Sequence, residues 1–513
     1  MLIGKNMKVL LIHLPYFKGQ PWSLPLGLAY IAAVLLKAGF EVEVLDIALL
    51  TIKGEYSSED LYQKLKKEKY LFIGFGAVFF DFSYFRKLSE GIREICPNTP
   101  QIIGGQWASR IAEVLVNNTN VDAVIMGEGE DVVLKIAESL SNKKPISQLR
   151  YVHVKDKPYT DEFAIVEDLN KLPFPARHLF DMDYHKLEIW LPDPLLGFST
   201  ILATRGCPRE CVFCKPLGGK RLRARDPENI IQEMKELNTK CGIKYFRFND
   251  EGFLGSNRKI IDFCNTLKNS GLNITFSIWS WSHNISEEAI SCLKDAGCIR
   301  VQLGIESGSP EILKEMNKVQ DLEKIKQKIQ FISDQGLYVG SGFLTGTPGE
   351  TEQTLEETKN YIKELNKVRN FEIAKIDFIK FLIGSPIYRT AKEKGIIEND
   401  LGFIIDSDKD QMFKFINLTK LDEEKYANMV KNINKELIWD YYSKYKIRIL
   451  RRLFLCDQID CKNFIKHLSL KDSSIIIKKI EFVLKDNFYS FLSKCKFLRK
   501  KINFKKLGYF DRL

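Results

Sequence analysis

Two series of short apolar runs, each followed by a stretch with helical periodicity, constrain this chain more than any other feature. In the first series, five buried strands are predicted, at Met7–His13, Glu41–Asp46, Leu71–Gly76, Gln101–Ile103 and Asp122–Met126. Helices are predicted at Gly27–Lys37, Phe82–Cys96, Trp107–Asn117 and Glu130–Leu140. Because strands that alternate with helices form parallel sheets, we expect an α/β protein with a doubly wound, Rossmann-like domain over residues 1–145.

Residues 146–195 contain several prolines, and neither strand nor helix periodicity continues through them, so we interpret this segment as a surface linker. A second series of strands and helices follows it. Six further strands are predicted, at Ser199–Thr204, Ile243–Asn249, Asn273–Ile278, Ile299–Ile305, Tyr338–Leu344 and Glu372–Phe381. Helices are predicted at Pro227–Asn238, Arg258–Ser270, Glu287–Ala296, Pro310–Met316, Leu322–Gln335 and Thr351–Asn366. Six units are too few for a closed eight-stranded barrel, so a partial (β/α)6 barrel is expected over residues 196–420.

The charge of the chain is concentrated near its end. The whole sequence has 77 Lys and Arg against 66 Asp and Glu residues, a net charge of +11. Residues 444–513 alone hold 19 basic and 6 acidic residues, so the chain before them is nearly neutral. We interpret residues 421–513 as a basic helical region that caps the fold, contacts an anionic membrane surface or recognises an acidic substrate or partner. No nucleic-acid partner is expected.

Cysteine content and hydropathy indicate the cellular compartment of the protein. Eleven cysteines, an odd number in 513 residues, do not fit a disulfide framework. The longest apolar run, Leu26–Leu36, is far shorter than the ~20 residues of a membrane span, and no signal peptide is read at the N-terminus. We expect a cytoplasmic protein, with peripheral membrane contact through the basic region as a possibility to test.

Three cysteines stand in one short segment directly after the first strand of the second series. Cys207-Pro-Arg-Glu-Cys211-Val-Phe-Cys214 has the spacing C-x3-C-x2-C. Three thiolates can hold a [4Fe–4S] cluster, which usually has four cysteine ligands, and leave one iron open. A structural zinc site is the alternative, but it needs a fourth Cys or His nearby, and the nearest are His185 and Cys241. The spacing favours the cluster.

This loop resembles that of radical S-adenosylmethionine (SAM) enzymes, in which the open iron binds the amino and carboxylate groups of SAM. Other strand-end segments resemble the SAM-binding motifs of that family: Phe246–Phe253, Gly304–Ser309, Gly342–Thr351 and Gly384–Tyr388. The resemblance implies that the cluster ligands are Cys207, Cys211 and Cys214. It implies that SAM is bound by Phe213, Asn249, Asp250, Glu251, Glu306, Ser307, Thr345 and Gly346.

The first series resembles the cobalamin (B12)-binding domain fused ahead of the radical enzyme in one subfamily. The matching segments are Leu24–Tyr30, Gly104–Trp107 and Gly127–Glu130. The resemblance implies cobalamin binding by Pro25, Leu26, Gly27, Gly74, Gly104, Gly105, Gly127, Glu128 and Gly129, although each glycine singly also fits a tight turn. The Asp-x-His-x-x-Gly signature of cobalt-ligating histidines is absent, and we interpret His13 as buried and hydrogen-bonded. Phe79, Phe80 and Phe82 either offer cobalamin an apolar face or pack in the core.

The resemblance implies three cofactors, a [4Fe–4S] cluster, SAM and cobalamin, and a reaction that these cofactors can supply. It is C-methylation of an unactivated carbon through a 5′-deoxyadenosyl radical and methylcobalamin. A radical cyclisation or rearrangement without methyl transfer stays open, as does a non-catalytic cobalamin- or metal-binding regulator. The expected partners are a small-molecule or lipid substrate and an electron donor such as flavodoxin or ferredoxin.

Overall fold

The structure is a computed structural model that describes residues 7–15, 24–185, 197–282, 285–409 and 415–444. Most of these residues belong to one compact unit, drawn from Met1–Lys186 and Phe198–Tyr441. Within the described ranges, none of the helices combines the length and hydropathy of a membrane span. The basic residues from 445 onward, predicted to form a cap or a membrane contact, lie outside the described residues.

The N-terminal sheet has six strands in the order β2-β1-β3-β4-β5-β6. The first five pair in parallel, and β6 joins β5 antiparallel. The strands are β1 (Lys8–His13), β2 (Glu41–Asp46), β3 (Ile73–Gly76), β4 (Gln101–Gly104), β5 (Ala123–Ile125) and β6 (Val152–His153). The helices are α1 (Leu26–Lys37), α2 (Ile47–Lys53), α3 (Ser58–Lys67), α4 (Phe82–Ile95), α5 (Gln106–Arg110), α6 (Ala112–Asn118) and α7 (Glu130–Ser141). The predicted doubly wound fold is confirmed.

Three details of this domain differ from the prediction, and the first is the short helix α2 after β2, which was not predicted. The single helix expected at Trp107–Asn117 is broken at Ile111, whose φ of −113° leaves helical geometry. The charged helix α3 was not predicted, because only Leu61 and Leu65 along it are buried and so few apolar positions give little periodicity.

The segment 146–195 is more deeply embedded than a surface linker. It supplies the edge strand β6 and the short helix α8 (Met182–His185), and Ala164, Ala176 and Phe180 are buried. The expectation of a surface path was wrong for these residues. Their apolar positions are irregularly spaced, so no period marks them in the sequence.

The second sheet is an open barrel of six strands in the order β14-β13-β12-β11-β10-β7, which confirms the predicted partial barrel. The pairings from β10 to β14 are parallel. The strands are β7 (Gly197–Ile201), β10 (Ile243–Phe248), β11 (Thr275–Trp281), β12 (Cys298–Glu306), β13 (Tyr338–Thr345) and β14 (Ile376–Phe378). The helices around it are α9 (Pro227–Cys241), α10 (Asn257–Asn269), α11 (Glu287–Asp295), α12 (Pro310–Glu315), α13 (Leu322–Asp334) and α14 (Glu352–Leu365).

Side chains alternate between the two faces of each barrel strand. On β12, Val301 and Leu303 are fully buried in the core under the helices. Gln302 and Gly304 therefore lie on the interior face, and Gly304 stands opposite Gly342 of β13. A Cβ atom at Gly304 would lie 2.8 Å from Lys318 Nζ, whereas one at Gly342 would meet nothing within 4 Å, so the room inside the barrel mouth is at Gly342.

The two sheets share a hydrophobic cluster that includes Phe85 of α4 and Phe381 and Ile387 beyond β14. The Asp408 carboxylate also accepts the Ser83 N–H at 2.9 Å, at the start of α4. The last helices are α15 (Pro386–Glu393), α16 (Asp400–Lys409) and α17 (Glu423–Lys444). The chain after the barrel thus returns to the N-terminal sheet and fixes it against the barrel.

Candidate active site

A two-stranded hairpin closes the base of the cysteine loop. Strand β8 (Thr204–Arg205) pairs antiparallel with β9 (Arg223–Ala224), and Arg205 stands directly opposite Arg223. The residues between the two strands include all three predicted cluster ligands, so the hairpin fixes where that loop begins and ends.

Backbone hydrogen bonds shape the loop itself. The Cys207 N–H donates to the Gly219 carbonyl at 3.1 Å, and the Cys214 N–H donates to the Cys211 carbonyl at 3.0 Å. Cys211 is buried, Cys207 is half-buried and Cys214 is exposed. The three thiols therefore project from one ordered turn.

Desolvation by the surrounding protein raises the pKa of all three thiols, and that of Cys214 reaches about 11 although the residue is exposed at the surface. At Cys214, the negative charges of Glu251 and Cys211 add to the effect of desolvation. Bound iron would offset both effects, because a metal ion stabilises the thiolate that ligates it. Within the described ranges, no three Cys, His, Asp or Glu side chains converge on a single ion. A cluster distributes its ligands over several irons, and the sulfur-only donor set is the one that iron–sulfur clusters use.

Phe213 lies where the cysteine loop is tied to the rest of the molecule. The neighbouring Val212 N–H donates to the Met316 carbonyl at 3.1 Å, and the Val212 carbonyl accepts the Ile387 N–H at 3.0 Å. The Phe213 side chain packs against the hydrophobic cluster that the two sheets share. Its contact with SAM stays a prediction.

Asp250, at the end of β10, uses one carboxyl oxygen to hold the start of the cysteine loop. Its Oδ1 accepts the N–H groups of Ala203 at 2.8 Å and Thr204 at 2.6 Å. The side chain is buried, and burial raises the pKa of the carboxyl to about 7 despite these bonds. Its Oδ2 is buried and has no partner among the described residues. The side chain therefore positions backbone, whereas its predicted contact with SAM remains a prediction.

The neighbours of Asp250 are open to the barrel mouth. Asn249 and Glu251 are both exposed. The protein around the Glu251 carboxyl nevertheless raises its pKa, and the negative charge of Glu128 raises it further. Glu251 therefore lies between the cysteine loop and the N-terminal domain.

Glu306 and Ser307 end β12 in different surroundings. Glu306 has a φ of +75°, which is rare for a residue with a side chain, and its Oε1 accepts a hydrogen bond from Lys318 Nζ at 2.6 Å. Ser307 is buried, with its Oγ 3.0 Å from Thr358 Oγ1. Glu306 is thus oriented by Lys318, while the Ser307 hydroxyl is used inside the turn. Sequence reasoning missed Lys318, because it follows α12 in a turn that no periodicity marks.

The end of β13 leaves bare backbone at the barrel mouth. A Cβ atom added at Gly342 would meet no heavy atom within 4 Å, and one added at Gly346 would meet none closer than 3.9 Å. The Thr345 hydroxyl between them is buried, 2.6 Å from Glu350 Oε2 and 2.6 Å from the Tyr426 hydroxyl. Gly342 is exposed and Gly346 is buried, so the open backbone at this strand end is that of Gly342.

The glycines at the carboxyl edge of the N-terminal sheet fall into two groups. A Cβ atom added at Gly27 would meet nothing within 4 Å, and one added at Gly104 would meet only a side-chain carbon at 3.5 Å. Gly105 and Gly127 have φ of +111° and +92°, and a Cβ there would lie 2.6 Å from a neighbouring carbonyl oxygen. The first group leaves open space, and the second serves the turns of the chain itself.

The remaining predicted cobalamin residues surround this edge. Pro25 directly precedes α1, and Leu26 is its first residue. A Cβ atom at Gly74 would lie 2.8 Å from a methyl group, and one at Gly129 would lie 3.0 Å from another. Both glycines therefore also meet a packing requirement, and their contact with cobalamin stays a prediction.

The carboxylate of Glu128 has partners within the protein, and its predicted contact with cobalamin stays a prediction. Its two oxygens accept hydrogen bonds from the Arg223 guanidinium at 2.7 and 2.8 Å, and one also accepts the Val166 N–H at 2.6 Å. Glu130 accepts from Arg205 at 2.7 Å. Residues 127–130 are thus ion-paired to the hairpin of the cysteine loop. Sequence reasoning missed both arginines, since no motif connects positions so far apart in the chain.

The aromatic residues near this edge differ in burial, since some lie in the core and one lies at the surface. Phe80 and Phe82 are fully buried, so the core alternative holds for these two. Phe79 is half-buried, with its ring 5.5 Å from that of Trp107. The neighbouring Val78 is 65% exposed. The apolar surface next to the strand ends is therefore that of Val78 and Phe79.

His13 ends β1 as a buried residue whose Nδ1 lies 2.8 Å from Asp46 Oδ1. Asp46 Oδ2 also lies 3.4 Å from His185 Nε2. Burial alone would raise the pKa of Asp46, but the hydrogen bonds with both histidines outweigh it and lower the pKa. The interpretation of His13 as buried and hydrogen-bonded is confirmed.

Comparison with known proteins agrees with this geometry. The family model of the B12 binding domain matches residues 23–137, and that of the Radical SAM superfamily matches residues 201–362. An uncharacterised methyltransferase of Pyrococcus horikoshii, PH0819, is 27% identical over 390 residues, which cover 74% of this chain and 79% of that protein. An anaerobic magnesium-protoporphyrin IX monomethyl ester cyclase of Rubrivivax gelatinosus is 26% identical over 377 residues, which cover 70% and 66%.

A solved structure has a similar fold over most of this chain. The radical SAM methyltransferase TsrM from Kitasatospora setae, with tryptophan and a SAM analogue bound, superposes with a TM-score of 0.63 at 18% identity and covers 76% of each chain. This likeness shows the fold. The two family models add the cofactors, which are SAM with a [4Fe–4S] cluster and cobalamin. The chain therefore belongs to the radical SAM enzymes that carry a B12-binding domain.

Proposed function

We propose that this enzyme transfers a methyl group to an unactivated carbon of a small-molecule substrate. The main observation that supports this proposal is the ion pairing of residues 127–130 with the hairpin of the cysteine loop. This pairing brings the edge proposed for cobalamin to the loop proposed for the cluster, so that both face one reaction space. The similarity to a protein named a methyltransferase supports this choice.

In this proposal, Cys207, Cys211 and Cys214 hold the cluster, and Asp250 fixes the start of their loop through two backbone N–H groups. When bound, the cluster supplies the electron that cleaves SAM, and cobalamin supplies the methyl carrier. Burial of Cys211 and partial burial of Cys207 keep water from that side of the cluster.

The proposed SAM site is the open mouth of the barrel. Gly342 provides open backbone there, and the contact of Gly346 with SAM stays a prediction. Glu306, held by Lys318, presents an acceptor for ribose hydroxyls. Asn249 and Glu251 are exposed after β10, with β11 between them and β12, and we assign them to the amino acid part of SAM.

Cobalamin is proposed to lie against the carboxyl edge of the N-terminal sheet. Gly27 and Gly104 leave open space there, and Val78 with Phe79 offers an apolar surface to a large flat ring. His13 is bonded to Asp46, so we do not assign it to the cobalt.

The finer assignments belong to the same proposal. We take residues 1–145 as the cobalamin domain, 146–195 as its connection, 196–420 as the radical SAM barrel and 421–513 as the basic region. A one-electron donor such as flavodoxin or ferredoxin reduces the cluster, lipids are included among the substrates, and the basic region contacts anionic lipid.

SAM whose methyl group carries three deuterium atoms tests the proposal. The reconstituted protein is incubated anaerobically with this SAM, a reductant and an extract of small molecules and lipids. A product that keeps all three deuterium atoms supports methyl transfer. The control is Cys211→Ala, which lacks one proposed cluster ligand.

The second candidate is a cyclase or rearrangement enzyme, which the similarity to the Rubrivivax gelatinosus cyclase favours. It predicts an altered substrate without the label, together with 5′-deoxyadenosine. A non-catalytic regulator predicts neither product. Either result would contradict the proposed methyl transfer.

A further inference from the structure

An unbroken series of contacts runs from the N-terminal domain to the first cluster cysteine. Arg223 binds both Glu128 oxygens and also donates to the Gly218 carbonyl at 2.7 Å. The next carbonyl along the chain, that of Gly219, accepts the Cys207 N–H at 3.1 Å. The Arg223 side chain is 4% exposed and that of Glu128 is 10% exposed. Rigid, bidentate pairs of this kind transmit position from one element to another.

The hairpin itself depends on this pairing. Arg205 and Arg223 are directly opposite in an antiparallel pair, an arrangement in which like charges repel. Glu130 pairs with Arg205, and Glu128 pairs with Arg223. The acidic turn of one domain therefore neutralises the two arginines that close the loop in the other domain.

We propose that Arg205 and Arg223 are positioning residues that set the distance between cobalamin and SAM at the cluster. Arg205 does so by its ion pair with Glu130, and Arg223 by its ion pair with Glu128. This inference rests on the proposed function. Reductive cleavage of SAM requires only the cluster and SAM, whereas methyl loss from SAM to cobalamin requires both cofactors at contact distance. Weakening these ion pairs should therefore impair methyl transfer from SAM to cobalamin more than reductive cleavage of SAM.

Two products of SAM report these reactions without any substrate. 5′-Deoxyadenosine reports reductive cleavage, in which an electron from the reductant breaks the bond between sulfur and the 5′-carbon, releases methionine and leaves a radical that takes up hydrogen. S-adenosylhomocysteine reports transfer of the methyl group to the electron pair of reduced cobalt. Titanium(III) citrate supplies the electrons for both, so one incubation gives the ratio of the two products.

Arg223→Lys is the test variant. It keeps the charge, but a single ammonium cannot bind both Glu128 oxygens in the fork geometry of a guanidinium. The matched control is Arg221→Lys in the same loop, because Arg221 pairs with Glu167 at the surface, where the two side chains are 70% and 72% exposed. Arg205→Lys, which loosens Glu130 instead, is a second test variant.

For the loaded enzyme, we expect Arg223→Lys and Arg205→Lys to lower the ratio of S-adenosylhomocysteine to 5′-deoxyadenosine at least about tenfold, since misplacement by about 1 Å can cost ~10²-fold. Arg221→Lys should keep the wild-type ratio. Amide hydrogen exchange of the cysteine loop, measured also without cofactors, should rise in the two test variants only.

Two results would overturn the inference: a test variant with the wild-type ratio, which includes an equal loss of both products, or unchanged exchange of the loop amides. Iron and cobalamin contents are measured on every sample, so that a poorly loaded variant is not scored as a change in ratio. Failure of the proposed function is a separate result. In that case, the wild-type enzyme itself gives no S-adenosylhomocysteine.

Discussion

Replacing Gly27 with leucine should remove cobalamin binding and leave the protein itself intact. Gly27 is the second residue of α1, it is exposed, and a Cβ added there would meet no heavy atom within 4 Å. Its φ lies outside the left-handed region, so a side chain adds no backbone strain. Leucine is favoured over glycine in a helix by up to about 1 kcal/mol. The free energy of unfolding without cofactors should therefore stay equal or rise slightly.

With cobalamin, the same side chain would occupy the space proposed for the ring. Because the ring is rigid, it must move away from the edge, and we expect at least about a hundredfold loss of affinity, which is about 2.7 kcal/mol. Hydroxocobalamin is titrated into the protein and followed by absorbance after removal of unbound cofactor. Thermal unfolding of the cofactor-free protein is measured beside it.

Gly342→Leu is the reciprocal control, because a Cβ there also meets nothing within 4 Å, but in the barrel mouth. It should lose SAM binding and keep hydroxocobalamin binding. Wild-type affinity of Gly27→Leu for hydroxocobalamin would refute the assignment of this edge. So would a loss of cobalamin in both variants, since the two open positions would then not be separate sites.

Four further predictions concern single groups or segments. Cys211→Ala should lose iron and SAM cleavage while far-UV circular dichroism stays unchanged; cluster absorbance at the wild-type level would count against the ligand assignment. His13→Ala should leave the spectrum of bound cobalamin unchanged, because the Nδ1 of His13 is bonded to Asp46, and a histidine nitrogen signal on cobalt in the wild type would contradict this. Folding raises the pKa of Asp250 to about 7, so the fold favours its protonated form and loses stability as the pH rises from about 4 to about 7; Asp250→Asn should lose that part of the pH dependence in urea unfolding. The full chain should sediment with anionic vesicles at low salt and dissociate as salt rises, whereas a chain ending at Asn434 should not; if both stay in the supernatant, the basic region is only a cap.

The elements of the fold were largely predictable because helices cover both sheets and bury apolar residues of their strands. Strand β2 has the predicted bounds, Glu41–Asp46, and β10 differs from its prediction by one residue at its end. Apolar runs of this kind record burial directly. The cysteine spacing was equally informative, because all three predicted cluster ligands lie in one short loop and their spacing can be seen directly in the sequence.

The missing parts of the site depend on contacts between distant positions. The partners of Glu128 are far from it in the sequence, at Val166 in the connecting segment and at Arg223 in the hairpin of the cysteine loop. The turn residue Lys318 lies beyond the strand that carries Glu306. In the sequence, a glutamate between two glycines resembles part of a cofactor-binding turn, and this pattern does not show what its carboxylate binds. Only the folded chain shows which oxygens are already occupied.

The two arginines that face each other across the hairpin set an order of events during biosynthesis. Until residues 127–130 are in place, the charges of Arg205 and Arg223 repel each other, and the base of the loop that carries Cys207 is held by the backbone pairing of the hairpin and by Asp250. The N-terminal domain leaves the ribosome first, so its acidic turn is ready before either arginine has been synthesised. We therefore expect the cysteine loop to be better ordered for iron binding once the N-terminal domain has folded and docked.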